Sequence, residues 1–121
     1  MRRILAVDDN EDILEILKLI LEDYGYEVKT ITDGSLLFDE IKAHKPDLIL
    51  LDIMLGNMDG RELCKAVKSN KETQDIPIIL VSASHNLSDR FMPASANIDF
   101  LAKPFDMMEL LDKVVINLSA A

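Results

Sequence analysis

Short runs of consecutive apolar residues alternate along this chain with longer stretches in which apolar residues recur every three or four positions. Ile4 to Val7 is the first run, ended by Asp8 and Asp9, and its compactness predicts a strand buried on both faces. Asn10 then offers an N-cap, and Ile13, Leu14, Leu17, Ile20 and Leu21 follow at helical spacing until Gly25, a residue type that ends helices. Tyr26 to Ile31 alternates weakly and predicts a second strand. Leu36, Leu37, Phe38 and Ile41 predict a second helix, opened near Asp33-Gly34 and closed before Pro46. Leu48 to Leu51 predicts a third buried strand, again ended by an aspartate, Asp52. Asp59-Gly60 opens a helix carrying Leu63, Ala66 and Val67, and the polar stretch Ser69 to Asp75 predicts a loop. Ile76 to Val81 predicts a fourth strand, with Pro77 tolerated near its start. A weaker helix over Leu87 to Ala96, interrupted by Pro93, precedes a fifth strand over Ile98 to Ala102. Met108, Leu110, Leu111, Val114, Val115 and Leu118 mark the last helix.

Five strands alternating with five helices, the strands apolar almost throughout, predict an α/β domain with a parallel sheet covered on both faces. Such sheets bind ligands outside the carboxyl ends of their strands. The 121 residues suffice for one domain with its own core, and 49% hydrophobic with 29% charged residues is globular composition. Neither a repeat nor an interdomain linker is visible. The excess of 22 acidic over 13 basic residues, a formal charge of −9, argues against direct contact with nucleic acid. A single cysteine, Cys64, cannot form an internal disulfide, which favours a reducing, cytoplasmic location. No apolar run approaches the roughly 20 residues that cross a bilayer, and no signal peptide precedes Asp8.

The strand ends carry the candidate chemistry. Strand 1 ends in Asp8-Asp9, strand 3 in Asp52, strand 4 in Ser82 and strand 5 in Lys103-Pro104. If these strands are neighbours, three carboxylates, a hydroxyl and an ammonium converge on one edge. Clustered carboxylates raise one another's pKa unless a cation joins them, and a hard divalent ion such as Mg²⁺ is the simplest partner. With Lys103 and Ser82, the set suits a phosphoryl group: cations neutralise its oxygens and the hydroxyl donates to it. One aspartate would then be the nucleophile, forming an acyl phosphate.

The run Val7-Asp8-Asp9-Asn10, the segment Leu50-Leu51-Asp52-Ile53-Met54 followed by Met58-Asp59-Gly60, the Val81-Ser82-Ala83 end and Lys103-Pro104-Phe105 together resemble the CheY-like receiver domain of two-component response regulators. Each motif alone is weak; in this order, at these strand ends and across essentially the whole chain, they are highly specific. The resemblance implies a flavodoxin-like (βα)5 doubly wound sandwich with strand order 2-1-3-4-5. It implies that Asp52 accepts a phosphoryl group from a sensor histidine kinase or histidine phosphotransfer protein of a bacterial signalling pathway. It assigns Asp8, Asp9, Asp52 and the main-chain carbonyl of Met54 to Mg²⁺, with Asp9 a direct ligand and Asp8 acting mainly through water. By the same resemblance, Ser82 and Lys103 are expected to bind phosphoryl oxygens, Pro104 to follow a cis bond, and Phe100 to occupy an aromatic switch position. Phosphorylation is then expected to draw in Ser82, let Phe100 turn inward, and reshape the face made by the fourth predicted helix, the fifth strand and the last helix. The state implied is a monomer or a phosphorylation-dependent dimer, with no chemistry beyond self-catalysed phosphotransfer and hydrolysis.

Plainer roles compete with these. Asp8-Asp9 could merely favour the positive end of the first helix, and Phe100 could be simple core. His44 and His85 lack partners at ligand spacing and are expected at the surface, whereas Cys64 is expected in the core. Met54, Met58, Met107 and Met108 are expected as packing and rim. Gly56 stands where the family commonly has proline, which predicts a freer loop; Ala96-Asn97 and a Ser82 to Lys103 spacing one residue short also depart from the pattern. Met54 and Ser84 would flank the route of attacking water. A haloacid-dehalogenase-type phosphatase shares the ingredients but needs Asp-x-Asp after strand 1, where this chain has Asn10 two places after Asp8. A receiver that docks constitutively, without phosphorylation, is the other alternative. The sequence ends just past the last helix, and the domain is either a stand-alone receiver, acting on a separate downstream protein, or one module of a longer chain.

Overall fold

The computed structural model describes residues 1–56, 58–83 and 97–119. The weak helix expected over Leu87–Ala96 with its Pro93, and the residues Ser84 and His85, lie outside them. The strands are β1 (Arg3–Val7), β2 (Glu27–Ile31), β3 (Leu48–Asp52), β4 (Ile78–Ser82) and β5 (Ile98–Ala102). The helices are α1 (Glu11–Asp23), α2 (Leu37–His44), α3 (Gly60–Ser69) and α4 (Met107–Ser119), the last helix of the chain. All pairings in the five-stranded sheet are parallel, in the order β2-β1-β3-β4-β5. This is the doubly wound, flavodoxin-like arrangement that the resemblance implies.

Successive strand residues point to opposite faces, so a strand covered on both sides must be apolar at every position. Ile4, Ala6, Leu48, Leu50, Ile79, Val81 and Leu101 face α1 and α4, meeting Leu14, Leu17 and Leu21 of the one and Leu110, Val114 and Leu118 of the other. Leu5, Val7, Ile49, Leu51, Ile78 and Leu80 face α2 and α3, meeting Leu37, Ile41, Cys64 and Val67. Cys64 is fully buried, and burial pushes its thiol up to about 11, an inert core residue. His44 lies on the outside of α2, 3.5 Å from Glu40.

Three local features differ from the sequence pattern. β4 begins at Ile78 and not Ile76, because Pro77 has no N–H for the ladder; its carbonyl instead accepts from the Ile49 amide at 3.0 Å. A 3-10 turn, Gly34–Leu36, precedes α2, and the Asp33 side chain accepts from the Ser35 amide at 2.9 Å. Between β3 and α3, Met54–Leu55 and Met58–Asp59 form a short antiparallel pair, and Gly56 between them takes a φ of 64°. That value suits glycine and would strain proline, which accounts for the departure from the family's usual residue. Among the described residues, no helix is long and apolar enough to cross a membrane.

Leu50→Ala, at the centre of the sheet, should cost about 2–5 kcal/mol of unfolding free energy by urea titration. Ile16→Ala, on the exposed side of α1, should change it by less than about 0.5 kcal/mol.

Candidate functional site

β1 and β3 are neighbours with Val7 opposite Leu51, so the residues ending them, Asp8 and Asp52, are delivered side by side. The Asp8 amide still bonds the Ile31 carbonyl at 3.2 Å, and the chain turns only afterwards. Asp8 Oδ1 accepts from the Asn10 amide at 2.9 Å, and Asn10 Oδ1 accepts in turn from the amides of Asp12 and Ile13, capping α1. This relay turns Asp8 inward, 3% exposed, and leaves Asp9 at the surface. One oxygen from each of Asp8, Asp9 and Asp52 lies within 4.8 Å of the others.

Lys103 reaches this cluster from the far side of β4. Its amide donates to the Ser82 carbonyl at 2.7 Å, extending the β4–β5 ladder by one residue, and a cis bond to Pro104 follows. Its Nζ lies 3.0 Å from Asp8 Oδ2 and 3.4 Å from Asp52 Oδ1. Burial alone would lower the lysine pKa, but the two carboxylates outweigh it and hold the ammonium above its ordinary value. Asp52 is 5% exposed, and its pKa is raised to about 6, first by burial and then by the charge of Asp8. Lys103 and the Met54 amide, which donates to the Asp52 carboxylate, pull in the other direction.

The fully ionised set leaves an excess of two negative charges in a largely buried place. An all-oxygen donor set of this charge fits a hard divalent cation such as Mg²⁺ and gives soft metals no thiolate or imidazole. Ser82 is buried at the end of β4, one residue beyond the Asp52–Val81 pairing. The Met54 side chain is exposed, two residues after Asp52. Phe100 is half-buried in the middle of β5 and packs against the core under α2 and α3. On the opposite face, Asp99 accepts from Lys113 at 3.2 Å and Asn117 at 3.1 Å, tying β5 to α4. No spacing in the sequence signals that tie.

Residues 4–115 match the response regulator receiver domain family. The chain belongs to this family. It is 30% identical to a CheY-like response regulator receiver domain protein from Methanospirillum hungatei, covering 99% of this chain and 95% of that one with a TM-score of 0.86. It is 31% identical to the receiver domain of a signal transduction histidine kinase from Syntrophus aciditrophicus, covering 100% and 92% with a TM-score of 0.88. The receiver domain of a sensor histidine kinase from Pseudomonas aeruginosa, 28% identical over 98% of both chains with a TM-score of 0.84, has a magnesium ion coordinated in its active-site cleft.

The raised Asp52 pKa has a stability consequence in the metal-free receiver. Between pH 4 and 6 the folded state binds a proton that the unfolded state has released, so stability falls as pH rises through this window and levels off above it. Asp52→Asn removes this loss. In EDTA, urea titrations should find the variant more stable than the wild type above pH 6, by about 1–3 kcal/mol, with the difference vanishing near pH 4. Mg²⁺ should narrow the gap by binding the wild type.

Proposed function

We propose that this receiver takes a phosphoryl group on Asp52 from a phosphohistidine of a sensor kinase or phosphotransfer protein, and that the modified state changes which partner it binds. The observation that carries the reading is the acid cluster itself: a buried carboxylate, Asp52, held between a second carboxylate and a lysine at the carboxyl edge of the sheet. In the transfer, an Asp52 oxygen attacks phosphorus, the P–O bond forms as the P–N bond breaks, and the donor imidazole leaves with its electron pair.

Each residue has a part in this. Asp52 must attack as the carboxylate, and Lys103 and the Met54 amide favour that form against burial and Asp8. Asp8, Asp9, Asp52 and the Met54 main-chain carbonyl would hold Mg²⁺, whose charge, when bound, offsets that of the phosphoryl oxygens. Lys103, already between Asp8 and Asp52, is placed to pair with a phosphoryl oxygen once one is attached. Ser82 supplies a hydroxyl from the adjacent strand end. Its approach to the phosphoryl group leaves room for Phe100 to turn, and the surface formed by β5 and α4 carries the change to a partner. Phosphotransfer and hydrolysis of the acyl phosphate are the chemistry this reading assigns to the receiver domain.

Incubation with Mg²⁺ and acetyl phosphate, followed by intact mass measurement, should add one phosphoryl group to the wild type. Asp52→Asn, or chelation of the metal, should abolish it. An absent adduct together with failure to bind beryllofluoride, while Mg²⁺ still binds, would replace this reading with constitutive docking. Sustained turnover of a simple phosphomonoester would replace it with a phosphatase.

A further inference from the structure

Gly60, the first residue of α3, lies directly against the main chain of the residue that bears the acceptor carboxylate. A Cβ at position 60 would stand 2.1 Å from the Asp52 carbonyl oxygen, 2.9 Å from the Asp52 carbonyl carbon and 2.9 Å from Ile53 Cα. All three are main-chain atoms, so no rotamer change relieves the overlap. Gly60 is not among the residues of positive φ, so it is closeness and not backbone conformation that demands glycine here.

Both sides of this contact are held. Asp52 pairs in register with Val81, and the Ile53 amide donates to the Val81 carbonyl at 3.0 Å. On the helix side, the Gly60 amide donates to the Ile53 carbonyl at 2.7 Å. Asp59 pairs with Met54, and its carboxylate caps α3 by accepting from the Arg61 amide at 2.9 Å. Gly34 provides a contrast: a Cβ there would meet Leu63 Cδ1 at 2.8 Å, Leu55 Cδ1 at 3.1 Å and Met58 Sδ at 3.3 Å, the yielding ends of side chains.

We propose that Gly60 is a positioning residue for phosphoryl transfer: by letting the first turn of α3 close onto the Asp52 peptide, it fixes the carboxylate beside Asp8 and within reach of Lys103. This rests on the assignment of Asp52 as acceptor. The Asp52 carboxylate is only 3.4 Å from Lys103, and a displacement of about 1 Å at a reacting group costs up to about 100-fold in rate.

The test measures the rate of phosphorylation by acetyl phosphate at saturating Mg²⁺, the donor concentration for half-maximal rate, and the Mg²⁺ dissociation constant by calorimetry. Gly60→Ala should lower the maximal rate about 10- to 100-fold, with the half-saturating donor concentration little changed and weaker Mg²⁺ binding. Gly34→Ala should keep the wild-type rate. Asp59→Ala frees the first turn of α3 without adding an atom near Asp52 and should lower the rate in the same direction, whereas Asp59→Asn, which keeps a capping oxygen, should restore it. A wild-type rate and metal affinity in Gly60→Ala would overturn the inference. Should Gly60→Ala fail to fold, a wild-type rate in Asp59→Ala overturns it instead. If the wild type binds Mg²⁺ but accepts no phosphoryl group, it is the acceptor assignment that fails. The positioning role then stands or falls on Mg²⁺ affinity, with an unchanged constant in both variants counting against it.

Discussion

Two buried carboxylates placed side by side repel each other, and the end of the sheet where they meet is organised around that repulsion. Asp8 and Asp52 are adjacent because β1 and β3 pair in register up to Val7 and Leu51, and both are buried. Lys103 answers part of the charge from β5, two strands away from Asp52, and the Asn10 and Met54 amides answer more. What stays unbalanced is negative charge, which a hard divalent cation would offset. A receiver thus keeps its site in tension through the same hydrogen bonds that build its sheet.

The two faces of the sheet divide the labour. Among the described residues, the face under α1 and α4 is aliphatic packing with Tyr26 and Phe105 against it, apart from the Asp99 network at its β5 edge. The other face holds Phe100, the short pair of strands between β3 and α3, and the N-terminus of α3. The segment from Ile53 to Gly60 therefore does two things: it covers the core, and it returns the chain to the main chain of Asp52. Phe100 and Asp99 are consecutive, and the Phe100 amide donates to the Asp99 carboxylate at 2.8 Å. The Phe100 side chain on one face is thereby joined through one peptide to the helix on the other.

Much of the fold was legible because its signal is local. The apolar runs, the caps at Asn10 and Asp59, and the stop at Gly25 each act over a few residues, and all of them are used as their chemistry suggests. The start of β4 shifted because Pro77 contributes only a carbonyl to the ladder. The strand pair at Met54–Leu55 and Met58–Asp59 left no trace in the pattern, since two residues are too few to establish a period. The strand order was likewise not readable from periodicity; it came from the motifs at the strand ends.

For the site, the sequence by itself determined which groups would be available and that they would sit at strand ends: Asp8, Asp9, Asp52, Ser82 and Lys103. Polar residues that end apolar strands have nowhere else to go when the sheet is covered on both faces. Only the tertiary structure decided how they differ. Asp8 is buried and Asp9 exposed because one Asx turn directs them apart, and Asp52 has a raised pKa because burial and Asp8 outweigh Lys103. Gly60 was visible as part of a helix-opening Asp-Gly pair, but its contact with the Asp52 peptide depends on where α3 docks. Distances of a few ångströms between residues far apart in sequence arise from packing, and packing is a property of the whole chain.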